Sequence, residues 1–195
     1  MSEIHADTLW TIGHSVRPWE AFVGMLAAAR ISRLVDVRRF AGSRRNPQFS
    51  GEAMATALAT AGIEYVPMPD LGGRRHARDD SHNLAWRSAG FRGYADYMGT
   101  SPYREARARL GMLAQRDRTA MMCAEAMWWQ CHRSLISDDF KTGGWAVIHL
   151  LSPGREEAHP YTSAARVLDG RLDYTLPACL EPAHIQQDDL QQSLF

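Results

Sequence analysis

Apolar residues along the chain come in two rhythms. Unbroken short runs, TLWTIG at 8–13, Ile31 to Val37, Ile63 to Pro67, Thr119 to Cys123 and Trp145 to Leu150, have the length and composition of strands buried on both faces. Between them apolar positions recur at helical spacing. Phe22, Met25, Leu26 and Ala29 follow Pro18, which suits a first helical turn, and predict a helix with one inward face. Ser50 is placed to cap a helix over 51–61 that stops at Gly62. Further helices are predicted over Gly93 to Met98, Pro102 to Gln115 and Ser134 to Lys141. Strand and helix alternate five times, so the expected fold is a single α/β domain over 1–176. It should hold a mainly parallel five-stranded sheet with helices on both faces, Rossmann-like in layout. Val167 to Leu172 reads as a small C-terminal hairpin, and 177–195 as a flexible tail.

Both rhythms fail in two places. The loop 39–50, RFAGSRRNPQFS, carries Gly, Pro and Asn as breakers together with three arginines. Pro69 to Phe91 has glycines, aromatic rings and arginines but no period, and a loop of that length in one domain points to function or disorder.

Composition adds bounds. An apolar share of 45% and a charged share of 23% suit a soluble globular protein, and no apolar run approaches a membrane span. The opening MSEIHADTLW lacks a basic-then-apolar leader, and three cysteines without a spaced framework suit a reducing cytoplasm, so no membrane is expected. The net charge of zero hides an asymmetry: residues 1–118 hold 17 basic and 12 acidic side chains, whereas 119–195 hold 5 and 10. Arginines gather at 30–45 and 74–92, so a basic face is compatible with a neutral chain.

The densest chemistry lies between Arg118 and Leu150. Cys123 and Glu125 close a strand, and Cys131, His132, Arg133 and Ser134 open a helix whose free N–H groups suit an anion. His14 and Ser15, Asp36 and Arg38, and Gly72 with Gly73 also follow predicted strands, and ligands of such sheets bind beyond the strands' carboxyl ends. Four segments are therefore expected to converge on one edge. His14, Asp36, Cys123 and Glu125 are the candidate catalytic groups. Ser15, Arg38, Gly72, Gly73, Cys131, His132, Arg133 and Ser134 are the candidate anion-binding groups.

The pieces TIGHS (11–15), DVR (36–38), Ser43 to Phe49, GIEY (62–65), LGG (71–73), YADYM (94–98), CAE (123–125), CHRS (131–134) and VIHL (147–150) together resemble domain of unknown function 488. The resemblance runs from about residue 8 to residue 176 and implies a soluble α/β domain of prokaryotes. It brings no activity with it.

Three readings of the site follow. The leading one is a cytoplasmic protein acting on nucleic acid or a nucleotide, in DNA repair or processing, through an acid/base site with an arginine clamp. Trp86, Phe91, Tyr94, Tyr97, Trp128 and Trp129 among the arginines would supply stacking surfaces. The second is a cysteine enzyme on a small anion, since Cys123 before an arginine-bearing helix start is similar to the rhodanese and cysteine-phosphatase layout. Its loop from Cys123 to Arg133 is longer than the tight loop of those enzymes. The third is a nucleotide-sensing or DNA-binding module without catalysis. As metal ligands Cys123, Cys131 and His132 lack the usual zinc spacing and an evident fourth donor, so neither metal nor cofactor is expected. The residues Gln191-Gln192-Ser193-Leu194-Phe195 resemble the bacterial sliding-clamp binding pentapeptide. That resemblance implies docking on the clamp through Gln191, Leu194 and Phe195.

Overall fold

In the computed structural model, which describes residues 7–42 and 45–176, the apolar runs form five strands. These are β1 (Thr8–Gly13), β2 (Arg33–Asp36), β3 (Glu64–Pro67), β4 (Thr119–Cys123) and β5 (Ala146–Ser152). They pair in parallel in the order β3-β2-β4-β1-β5. A sixth strand, β6 (Arg155–Ala158), adds antiparallel to β5. This strand departs from the expected five, because its sequence REEA has neither an apolar run nor a buried face. Charge on an edge strand deters pairing with further chains, so the features that hide β6 from pattern reading also suit its place.

Among the described residues five α-helices cover the sheet: α1 (Trp19–Ala28), α2 (Gly51–Thr60), α3 (Ala89–Met98), α4 (Ser101–Arg116) and α5 (Arg133–Thr142). Ser50 does cap α2, its hydroxyl accepting from the Ala53 N–H at 3.4 Å. Helix α3 begins at Ala89, inside the stretch that lacked a period. On one face of the sheet Trp10 and Ile12 of β1 pack against Phe22 and Leu26 of α1 and Met54 and Leu58 of α2. On the other, Leu9 and Met121 meet Tyr94, Leu110, Leu135 and Phe140 of α3, α4 and α5. Alternate residues of the strands thus feed two separate apolar layers.

The chain runs outward from β1 to β2 to β3, then returns to β4 and crosses to β5. Right-handed crossovers in opposite directions put α1 and α2 on one face and the later helices on the other. Strand β4 consequently has neighbours, β1 and β2, whose following helices lie on the opposite face from its own. The loops part around its carboxyl end, where ligands of open α/β sheets sit. Register brings Gly13 beside Cys123, and Asp36 beside Met122 and Pro67, on that edge.

The predicted hairpin is present as β7 (Arg166–Leu168) and β8 (Arg171–Asp173). Its turn, Asp169-Gly170, has positive φ at both residues, as a tight hairpin turn of the I′ type requires. No helix among the described residues is long and apolar enough to cross a membrane. The tail 177–195, with Gln191, Leu194 and Phe195, lies outside the described residues, as do Ser43 and Arg44.

Candidate functional site

A cleft of about 430 Å³ opens at the carboxyl end of β4, walled by Arg38, Gly73, Tyr94 and Phe91, with Cys123, Glu125, Cys131 and His132 at its base. Each side chain is held by a different local device.

Glu125 belongs to the loop after β4, and that loop is pressed onto β1. A Cβ built on Gly13 would stand 1.8 Å from the Glu125 carbonyl oxygen, so only glycine lets the loop pass. The trapped carbonyl accepts from Arg133 Nη2 at 2.6 Å. Arg133 is 1% exposed, and its other hydrogen bonds reach Cys123 Sγ (3.0 Å), Thr11 Oγ1 (3.1 Å) and the Ala126 carbonyl (3.3 Å). Among the described residues this buried guanidinium therefore leans on neutral oxygens and a sulfur rather than on a carboxylate.

The two cysteines lie side by side below the cleft, Cys123 1% and Cys131 3% exposed. Cys123 Sγ is 3.1 Å from Glu125 Oε2. Cys131 Sγ accepts from the Arg133 N–H at 3.5 Å, at the start of α5. Burial and the neighbouring Cys131 push the Cys123 thiol well up. Burial would also raise Cys131, but the Cys123 thiol and the Arg133 charge outweigh it and draw Cys131 down. For Glu125, burial is outweighed by hydrogen bonds from the Cys123 thiol and its own backbone N–H, so its carboxyl sits below the usual range.

His132 has its Nε2 committed to the Val37 carbonyl at 3.0 Å, which makes Nε2 the protonated nitrogen. Its Nδ1 lone pair then faces Cys131 Sγ at 3.4 Å. Gly73 makes room for this ring, since a Cβ there would lie 2.9 Å from Nδ1. Burial lowers the His132 pKa.

His14 and Asp36 have a different place. Asp36 Oδ1 accepts from the Arg38 N–H (3.0 Å) and Nε (2.9 Å), and Oδ2 from Arg38 Nη2 (2.6 Å) and the Tyr65 hydroxyl (2.6 Å). That saturates the carboxylate, and the phenol beside it is pushed above its ordinary range by burial and the Asp36 charge. His14 donates from Nδ1 to the Ser15 carbonyl at 2.8 Å and accepts at Nε2 from Arg38 Nη1 at 3.2 Å. Burial holds this imidazole neutral by lowering its pKa. Both residues are buried behind Arg38 and hold its guanidinium in the cleft wall; they do not themselves line the cleft. Ser15, Gly72 and Ser134 also stand back from the cleft, the Ser134 hydroxyl donating to the Cys131 carbonyl at 2.9 Å.

The cleft mouth holds a ring that pattern reading passed over, set among arginines of the two basic stretches. Phe40 is 64% exposed, with the guanidinium carbons of Arg39 and Arg74 5.7 and 6.0 Å from its ring centre. Neither arginine pairs with a carboxylate among the described residues; Arg39 donates instead to the Arg74 carbonyl at 3.0 Å. The aromatics expected to stack on bases are mostly spoken for. Trp128 is buried against His149, Tyr94 donates to the Leu71 carbonyl, and Tyr97 lies under Arg75. Phe91 and Tyr94 do line the cleft.

Beneath Arg133 runs a hydrogen-bonded line that joins residues of two quoted motifs, Thr11 and His149, to His159 and Asp138, which no motif marked. The Thr11 hydroxyl meets His149 Nδ1 at 2.7 Å, His149 Nε2 meets His159 Nδ1 at 2.9 Å, and His159 Nε2 meets Asp138 Oδ1 at 3.0 Å. Asp138 also accepts from the Thr162 N–H and hydroxyl and from the Tyr174 hydroxyl. Burial, helped by His159 and Arg133, draws His149 down to about 2, so its ring is neutral.

The profile of a family described as "Domain of unknown function DUF488" matches residues 18–139, more than half the chain. The chain belongs to this family. No curated protein and no solved structure matches it. The matched stretch of the DUF488 domain includes Arg38, Gly73, Glu125 and both site cysteines, together with Arg133. Thr11, Gly13 and His14 on β1, and His149 and His159 of the buried line, fall outside the match.

Proposed function

We propose that this DUF488 protein acts on a nucleotide or a nucleic-acid strand, held at the cleft mouth and worked on at its base. The observation that carries this reading is the exposed Phe40 ring set between Arg39 and Arg74. A flat apolar surface flanked by two carboxylate-free guanidinium groups suits a base stacked beside its phosphate. Behind it Arg38 lines the cleft wall with its guanidinium paired to Asp36 and bonded to His14, so it shapes the wall without adding a free charge. Glu125 is the ionised group at the base that is itself open to solvent, which makes it the candidate for moving a proton.

The rival reading, a cysteine nucleophile, asks a substrate to reach sulfurs that are 1 and 3% exposed. The burial of both thiols favours the first reading.

The test is fluorescence anisotropy of labelled single-stranded DNA and RNA oligomers, with mononucleotides as competitors, across a salt series. Binding should weaken as salt rises, because phosphate contacts release counterions. Arg39→Glu with Arg74→Glu should remove most of the binding, and Phe40→Ala should weaken it across all sequences. Absence of binding at low salt, or binding indifferent to all three changes, would overturn the proposal.

A further inference from the structure

We infer that Cys123, Glu125 and Cys131 form a site for one divalent metal ion of the zinc class, with a coordination position left toward the cleft. One donor atom from each of the three lies within 4.8 Å of the other two. Zinc bonds of about 2.0–2.3 Å to oxygen and sulfur place tetrahedral donors roughly 3.3–3.8 Å apart, so a small inward adjustment closes the set. The Cys123 Sγ to Glu125 Oε2 separation is already 3.1 Å.

Two further features fit an ion better than a reacting thiol. First, both sulfurs are buried whereas Glu125 reaches solvent, so a bare ion can be handed in by the carboxylate where a substrate cannot follow. Second, both sulfurs already receive N–H groups, from Arg133 Nε at 3.0 Å and the Arg133 backbone at 3.5 Å. Such outer donors orient thiolate ligands and temper their charge. With the ion bound, two thiolates and a carboxylate would face a dication and the Arg133 guanidinium, leaving the buried group neutral.

Binding is an exchange in which both thiols lose their protons to solvent, two metal–sulfur bonds form and no electrons move. Three protein donors with one place left over is the pattern of zinc sites that hold a water. That place would lie on the floor of the cleft proposed above to hold the substrate. Metal and nucleotide binding are measured separately, so either proposal can fail while the other stands.

The experiment uses the full chain, free of any histidine tag, reduced and stripped with EDTA. Titration with zinc against a chromophoric chelator should give one tightly bound equivalent per chain. Cobalt(II) in its place should give a sulfur-to-metal charge-transfer band and the strong visible bands of four-coordination. Cys123→Ser with Cys131→Ser should lower zinc affinity at least a hundredfold, and Glu125→Ala at least tenfold, with circular dichroism confirming the fold of each. A second measurement needs no variant: native mass spectrometry of the wild-type protein with zinc should show one bound ion per chain at a mass that reflects loss of the two thiol protons. No stoichiometric binding, binding that survives loss of both cysteines, or a bound mass without that proton loss would each overturn the inference.

Discussion

Lowering the pH from 7 to 5 should destabilise the protein by an amount that can be worked from His149. Its imidazole is held neutral, drawn from an ordinary value of 6.5 to about 2 by burial and its charged surroundings. In the unfolded chain the same ring takes up a proton as pH falls below 6.5. The unfolded state therefore binds more protons across this window, and stability falls as pH falls. At pH 5 the unfolded ring is about 30-fold more protonated than not, which costs the folded state about 2 kcal/mol, approaching 1.4 kcal/mol for each further pH unit. His14, also held low by burial, adds to the loss with the same sign. Carboxylates with lowered pKa values, such as Glu125 and Asp173, contribute chiefly below this window. Urea unfolding in EDTA at pH 7, 6 and 5 measures the effect without interference from metal. His149→Gln should flatten the dependence by about 2 kcal/mol between pH 7 and 5, even if it is less stable throughout. A wild-type midpoint that does not move from pH 7 to 5, or a Gln variant with an unchanged slope, would refute the reasoning.

Gly13→Ala should cost at least about 3 kcal/mol or prevent folding, because the new methyl group would overlap the Glu125 carbonyl 1.8 Å away and the backbone must shift; thermal melting reads this directly. Asp138→Ala should destabilise by roughly 3–5 kcal/mol, since it strands His159, Thr162 and Tyr174 in a buried site; chemical denaturation checks it. Leu194→Ala with Phe195→Ala should abolish binding to a bacterial sliding clamp while leaving the melting temperature unchanged. Surface plasmon resonance should show micromolar affinity for the wild type, as the burial of two apolar side chains less the cost of ordering them allows.

Much of the sheet was legible because parallel strands buried on both faces must be apolar throughout, and β1 and β4 coincide with their predicted runs. Strand β6 was not, because an antiparallel edge tolerates Arg-Glu-Glu. At the site, Cys123, Glu125, Cys131 and His132 were legible as reactive side chains clustered after one strand, and all four reach the cleft. His14 and Asp36 were legible as strand-end residues, but no sequence shows that Arg38 and Tyr65 use up their hydrogen-bonding capacity. Phe40 was one aromatic in an arginine-rich loop, and only the approach of Arg74 from a distant segment gives it a setting. The line from Thr11 to Asp138 was invisible for the same reason, since Thr11 and His149 lie 138 residues apart.

That line also bears on how the molecule comes apart. The hairpin β7–β8 forms no ladder with the main sheet and on its own would fray readily. Yet Tyr174, just past β8, and Thr162, just before β7, both end on Asp138, which sits at 0% exposure within α5. Peeling the hairpin away exposes that carboxylate and unseats His159, then His149, then Thr11 beneath Arg133. The C-terminal hairpin and the central strand therefore form one cooperative unfolding unit, and in native-state hydrogen exchange the amides of the hairpin should open together with those of α5 rather than ahead of them.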